Sequence, residues 1–170
     1  MSSHPMLLES KMTEKKGVED DNARVVARPP FIYLIPLVVG LLLHLVLPIS
    51  FLPLALSLVL GIGLFLKGGL IMAWALMTFR RAGTSEKVRE PTKMIVTTGP
   101  FRYSRNPIYG AFVAIYFGIT FLFNTPWPIL LLPIVLIVMH YGVITREERY
   151  LEGKFGKEYL DYKRKVRRWI

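Results

Sequence analysis

Two parts of this sequence carry side chains that could bind or transform a ligand. The segment Gly99–Gly110 holds two arginines and two tyrosines, and it contains a helix start, because Asn106 suits an N-cap and Pro107 suits the first helical position. The second part is the adjacent pair Glu147 and Glu148. Free N–H groups at a helix start favour an anionic group, whereas a carboxylate favours an ammonium. Together these residues predict a polar site for a ligand that carries both charges.

The two parts meet only if the chain between them folds into a helical hairpin. Residues 107–123 and 129–145 are uncharged apolar runs, joined by a turn at Asn124–Pro128. In an antiparallel hairpin with its turn centred near residue 126, residue 106 lies beside residue 146. The helix start and the carboxylate pair are therefore expected at the same end of the hairpin.

The adjacent glutamates cannot both face one cleft, because neighbouring residues on a regular helix diverge by about 100°. We expect one of them to face the site and the other to pair with an arginine, for which the candidates are Arg102, Arg105 and Arg146. The alternative is that both glutamates only balance charge at the end of a membrane span.

The composition indicates a small integral membrane protein. The chain has 170 residues, of which 52% are hydrophobic, and its mean hydropathy is +0.40. The apolar runs that could span a membrane are residues 31–47, 54–78, 107–123 and 129–145. The last two are short, since 17 residues cover roughly 25 Å. From Leu151 to Trp169, apolar residues recur every three or four positions. We therefore predict an all-α integral membrane fold with about four transmembrane helices in two hairpins and a C-terminal amphipathic helix.

The basic residues predict the orientation in the membrane. Apart from Lys67, every Lys and Arg lies in the N-terminal tail, in the loop 79–106 or in the C-terminal segment. An even number of spans puts all three on one side, and the positive-inside rule makes that side cytosolic. Both termini are thus expected in the cytosol, at the inner membrane of a prokaryote or the endoplasmic reticulum of a eukaryote. The net charge of +10 fits contact with anionic lipids better than with nucleic acid.

Several other chemistries are disfavoured. The chain has no cysteine, and its histidines, His4, His44 and His140, lack the spacing of metal ligands, so no metal is expected. Lys67 is a charge within a span, which is a functional hypothesis by default. We favour a structural or snorkelling role, because the glycines at 68 and 69 suggest a helix break or a close helix crossing.

Residues 93–168 resemble the C-terminal half of the isoprenylcysteine carboxyl methyltransferases, membrane enzymes that are also similar to phospholipid methyltransferases. The ordered matches are VTTGPF at 96–101, RNPIY at 105–109, Glu147-Glu148, FGKEYLDY at 155–162 and VRRW at 166–169. The resemblance implies an integral membrane enzyme that uses S-adenosylmethionine. The chain then divides into a disordered cytosolic tail at 1–30, a first transmembrane hairpin at 31–78 and a cofactor-binding half at 79–170.

The resemblance also implies the site residues. The implied cofactor contacts are Lys93, Met94, Ile95, Val96, Phe101, Asn106, Pro107, Ile108, Tyr109 and Glu147. Glu147 would take the cofactor's ammonium, and we assign Arg105 and Glu148 to catalysis, Glu148 as the base for an amine acceptor. Asn106 stands where the prenylcysteine enzymes have His, and Val143 where they have a substrate-linked Arg, so the acceptor stays unassigned.

We expect a lipophilic or amphipathic acceptor at the cytosolic face, with its tail among Ile108, Phe112 and Ile144, besides membrane lipids as partners. Two other functions stay open. The Arg-x-Pro-x-Tyr turn and the Tyr-rich C-terminal helix also resemble membrane sterol reductases, which would bind NADPH. A non-enzymatic lipid-binding membrane protein is the other alternative. The short chain and the glutamate pair favour the methyltransferase.

Overall fold

The computed structural model describes residues 23–83 and 94–169, and in these ranges all the regular structure is helical. The helices are α1 (Pro29–Val46), α2 (Leu54–Arg81), α3 (Pro107–Leu122), α4 (Trp127–Met139), α5 (Thr145–Phe155) and α6 (Lys157–Lys165). A 3₁₀ turn at Gly99–Arg102 precedes α3, and a π-helix at His140–Ile144 joins α4 to α5. The apolar helices begin at or beside a proline, which has a suitable φ and no N–H to satisfy.

Among the described residues, three helical stretches are long and apolar enough to cross a membrane. They are α1, α2 and the continuous stretch Trp127–Phe155. Helix α3 is apolar but has only 16 residues. The predicted all-α integral membrane fold is confirmed. Both spans of the second hairpin were expected to be short, but only α3 is. The other span is long because α4 continues through the π-helix into α5.

Helices α2 and α3 pack with their backbones very close together. A Cβ atom at Gly118 would lie 2.6 Å from the backbone nitrogen of Phe65, and one at Gly68 would lie 2.9 Å from the carbonyl oxygen of Ala111. Small residues permit this approach, as in other membrane helix pairs. Because α2 is unbroken through Gly68, that glycine serves the close crossing rather than a helix break.

Helix α1 packs on α4, and the core lies where these helices meet α3. At the far end, the side chain of Asn124 accepts hydrogen bonds from the backbone of Phe51 and Leu52 and donates one, of 2.8 Å, to the carbonyl of Leu52. This amide joins the turn after α1 to the turn after α3. Both charge-free turns therefore lie together, at the end of the bundle opposite the start of α3.

An extended segment before α1 also belongs to the folded structure. The N–H of Val26 donates a hydrogen bond of 3.1 Å to the carbonyl of Gly142 in the π-helix, and Ala23 and Val25 are buried. A π-helix leaves carbonyls without their usual partners in the helix, which makes one available here. Part of the segment that was predicted to be a disordered tail thus packs on the described helices. Residues 1–22 of that tail lie outside the described residues.

Candidate functional site

A cavity of about 750 Å³ lies at the end of the bundle where α3 and α5 begin. The last turns of α2, the segment before α1, the 3₁₀ turn and α6 complete its wall. Of the residues predicted to contact the cofactor, Lys93 lies outside the described residues. The others all line the cavity: Met94, Ile95, Val96, Phe101, Asn106, Pro107, Ile108, Tyr109 and Glu147. Arg105 and Glu148, assigned to catalysis, line it as well.

Glu147 joins the starts of α3 and α5. The hydroxyl of Tyr109 donates a hydrogen bond of 2.6 Å to Oε1 of Glu147, which agrees with the expected closeness of residues 106 and 146. Tyr109 is buried and Glu147 is half-buried. No ion pair links Glu147 to any residue in 23–83 or 94–169. Its carboxylate is therefore available to a cation in the cavity.

Glu148 is the paired member of the two glutamates. The residue is 5% exposed. Arg168 donates to both oxygens, with distances of 3.0 Å and 2.6 Å, and Nη1 of Arg105 lies 3.2 Å from Oε1. The hydrogen bond to Glu148 raises the pKa of Arg168. Since guanidinium groups already occupy both oxygens, Glu148 is better placed to hold the C-terminal segment than to take a proton from an acceptor.

The C-terminal segment holds the loop before α3. The N–H of Arg105 donates to the carbonyl of Arg167 at 2.9 Å. The hydroxyl of Ser104 and the side-chain amide of Asn106 both donate to the carbonyl of Arg168, each at 3.2 Å. Asn106 thus occupies the predicted N-cap position, but its side chain makes no capping hydrogen bond. The N–H groups in the first turn of α3 lack a side-chain cap and can serve an anionic ligand.

Comparison with known proteins assigns the family. The sequence model described as phospholipid methyltransferase matches residues 56–158, more than half of the chain. The chain belongs to the phospholipid methyltransferase family. The resemblance to this group of membrane methyltransferases is thereby confirmed, and its apolar helices are those of an integral membrane protein.

A match to a single relative covers less of the chain. An uncharacterized protein of Haemophilus influenzae is 57% identical over 37 residues, which are 22% of this chain and 59% of that relative. The chain thus spans about three-fifths of the length of that relative. No solved structure matches the chain.

Sequence reasoning missed several parts of the wall in this family member. The stripe at 151–169 put Tyr159 and Tyr162 on one helix face, yet gave no sign that this face closes the cavity. Burial raises the pKa of Tyr159 to about 12, and the hydroxyl of Tyr162 donates a 2.7 Å hydrogen bond to the carbonyl of Phe101. The pairing of Arg168 with Glu148 had a faint signal, because Arg168 belongs to the VRRW match. No signal in the sequence indicated that α2, Ala23 and Val25 contribute to the wall.

Proposed function

We propose that the protein transfers a methyl group from S-adenosylmethionine, bound in this cavity, to a lipophilic or amphipathic acceptor. The observation that carries the proposal is that one cavity joins the start of α3, which lacks a side-chain cap, to the carboxylate of Glu147, which has no ion pair among the described residues. A ligand that fits these groups carries an ammonium and a carboxylate and has a part that suits apolar surface. The free amino-acid group of this cofactor carries both charges.

The residues present fit the cofactor. Glu147 would accept the ammonium, and the first N–H groups of α3 would hold the carboxylate. The aromatic rings of Phe101 and Tyr109 could receive the adenine or the cationic sulfonium. The volume is also suitable, because small-molecule cavities measure about 300–1,000 Å³.

The acceptor would enter from the bilayer beside α2. Helices α1 and α2 pack on α4 and α3 rather than on each other, so an acceptor could pass between their cavity ends. Met72 and Leu76 of α2 line the cavity there, together with Pro30 at the start of α1. An apolar tail would lie along these residues.

Part of the expected acceptor site changes accordingly. Ile108 and Phe112 line the cavity as expected of the tail-binding residues, whereas Ile144 is fully buried in the core and is absent from the wall. Met72 and Leu76 take its place in the proposal. The apolar lining favours a chain of methylenes over a small aqueous acceptor.

The protein's own contribution to the reaction would be positioning and the exclusion of water. When bound, the cofactor supplies an activated methyl group on a sulfonium, and the released thioether is neutral, so no acid is required. A carboxylate or thiolate acceptor needs no base. An amine acceptor would have to arrive as the free base, because Arg105 and Arg168 engage Glu148.

The proposed orientation has the cavity and both termini in the cytosol. The segment before α1, the end of α2 and the C-terminal segment meet at the cavity end, and these regions carry the basic residues. The charge-free turns lie at the opposite end. By the positive-inside rule, the cavity end faces the cytosol.

Calorimetric titration of the detergent-solubilised protein tests the proposal, with S-adenosylhomocysteine and NADPH as ligands. We expect saturable binding of S-adenosylhomocysteine and none of NADPH. The reverse result would favour the sterol-reductase alternative. Binding of neither ligand, in a protein that still binds phospholipid, would favour a non-enzymatic lipid-binding protein. A methylation screen with lipid extracts would then identify the acceptor.

A further inference from the structure

Lys67 is a charged side chain on the outer surface of a membrane helix. It is the only Lys, Arg, Asp or Glu between residues 29 and 79. The structure leaves it exposed on α2, and no ion pair joins it to a residue in the described ranges. A charge within the bilayer ordinarily pairs with another polar group. Within the described ranges, Lys67 therefore lacks the ionic partner that its environment requires.

The length of α2 keeps Lys67 deep in the membrane. The helix has 28 residues, from Leu54 to Arg81, which is about 42 Å at 1.5 Å per residue. Lys67 lies 13 residues after its start and 14 before its end. Any upright placement of α2 across a hydrocarbon core of about 30 Å leaves Lys67 about 9 Å or more from the nearer boundary. The methylene stem of one lysine is too short to bring its ammonium to that boundary.

The residues around Lys67 form an exposed stripe with the spacing of a helix-pairing surface. Alternating steps of four and three residues give the other members: Leu56, Leu60, Gly63, Leu70, Trp74 and Met77. This repeat is the one that two helices use to pack along their length. A Cβ atom at Gly63, one turn from Lys67, would have no atom within 4 Å. The bare glycine leaves room for another backbone beside the ammonium.

We infer that this α2 stripe binds a transmembrane helix of another protein, one that carries an Asp or Glu near the bilayer centre. A second copy of this chain does not suit the stripe. Residues 29–79 and 107–145 contain no Asp or Glu, so a symmetric pair would bring Lys67 against Lys67. A partner carboxylate neutralises the ammonium, and the apolar members of the stripe pack on either side of the pair. This interaction does not depend on the proposed methyl transfer.

Energy transfer in phosphatidylcholine vesicles tests the inference. The chain lacks cysteine, so Ser50→Cys takes a single donor dye, and synthetic transmembrane peptides of about 22 Leu and Ala residues carry the acceptor dye. One peptide has a central Asp, and matched peptides have Asn or Leu there. We expect the Asp peptide to associate at a peptide density in the membrane that is about threefold to tenfold lower than the density the Leu peptide needs. This is the range for polar contacts between membrane helices.

Variants of the protein separate the charge from the shape of the stripe. Lys67→Met should remove the advantage of the Asp peptide, and Lys67→Arg should keep it. Adding Leu66→Lys to Lys67→Met moves the charge about 100° around the helix and should not restore binding. Gly63→Leu keeps the charge but fills the open space, and should weaken association. Circular dichroism checks that each variant folds.

Three results would overturn the inference. The first is an Asp peptide that binds no better than the Asn or Leu peptide. The second is an advantage that survives Lys67→Met or returns when the charge is moved to residue 66. The third is loss of the advantage when phosphatidylglycerol is added, since Lys67 would then be engaged by an anionic lipid headgroup.

Discussion

Replacing Glu147 by Gln should weaken cofactor binding and leave the fold intact. Glutamine keeps the size of the side chain, and its carbonyl oxygen can still accept the hydrogen bond from Tyr109 that measures 2.6 Å. What is lost is the negative charge opposite the ammonium. A hydrogen bond to a charged group contributes about 1.5–3 kcal/mol. The dissociation constant of S-adenosylhomocysteine should therefore rise about 10-fold to 100-fold.

Glu148→Gln is the matched control, because it makes the same change one residue along the helix. Glu148 is 5% exposed and pairs with Arg168 and Arg105 at 2.6 Å and 3.2 Å. Breaking a fully buried pair costs about 3–5 kcal/mol. Since the side chain of Arg168 is 30% exposed, we expect a smaller loss of about 2 kcal/mol in unfolding free energy.

The two variants are compared by calorimetry with S-adenosylhomocysteine and by thermal unfolding in the same detergent. Glu147→Gln should change the affinity while Tm stays nearly constant. Glu148→Gln should lower Tm, and at temperatures where it remains folded its affinity should stay within about threefold of the wild type. Equal losses of affinity in both variants, without loss of stability in Glu148→Gln, would refute the division of roles between the two glutamates.

Three further results are expected. Gly118→Val should destabilise the protein by about 1–3 kcal/mol in thermal unfolding, because its Cβ would meet the α2 backbone. Gly63→Val faces open space and should be nearly neutral. A similar loss of stability from both variants would contradict the close packing of α3 on α2. Ser50→Cys should react with an impermeant thiol reagent in intact cells and Lys157→Cys only after permeabilisation; labelling of residue 157 in intact cells would reverse the orientation. Leu76→Trp should raise KM for a long-chain acceptor about threefold or more while the affinity for S-adenosylhomocysteine holds; an unchanged KM would place acceptor entry elsewhere.

Local signals predicted the parts of the fold that depend on nearby residues. Pro107 begins α3 and the turn near residue 126 reverses the chain, so helix geometry predicted that residues 106 and 146 lie close together. The hydrogen bond between Tyr109 and Glu147 agrees with this prediction. The divergence of adjacent helical residues also predicted that one glutamate would pair with an arginine, as Glu148 does with Arg105. The expectation that only one glutamate would face the site was wrong, because both line the cavity. These inferences assumed only that two consecutive helices form an antiparallel hairpin.

The remaining features depend on contacts between distant segments. The apolar helices are similar in hydrophobicity, so nothing in their sequences selects α4 as the partner of α1. The π-helix at His140–Ile144 has no sequence signature, yet its free carbonyl docks the backbone of Val26. Arg168 was one of many basic residues near the C-terminus, and only the folded chain brings its guanidinium to Glu148. Charge placement predicted a membrane side but could not predict this ion pair.

Methyl transfer from S-adenosylmethionine to a lipophilic acceptor is the function proposed for this cavity. The most direct measurement uses S-adenosylmethionine with a tritiated methyl group, added to proteoliposomes made from a lipid extract, and follows tritium into the organic phase. We expect incorporation by the wild-type protein to saturate with cofactor. In Glu147→Gln, incorporation at subsaturating cofactor should be lower by about tenfold or more. Incorporation that Glu147→Gln leaves unchanged, or none from any extract by a protein that binds S-adenosylhomocysteine, would contradict the proposed function.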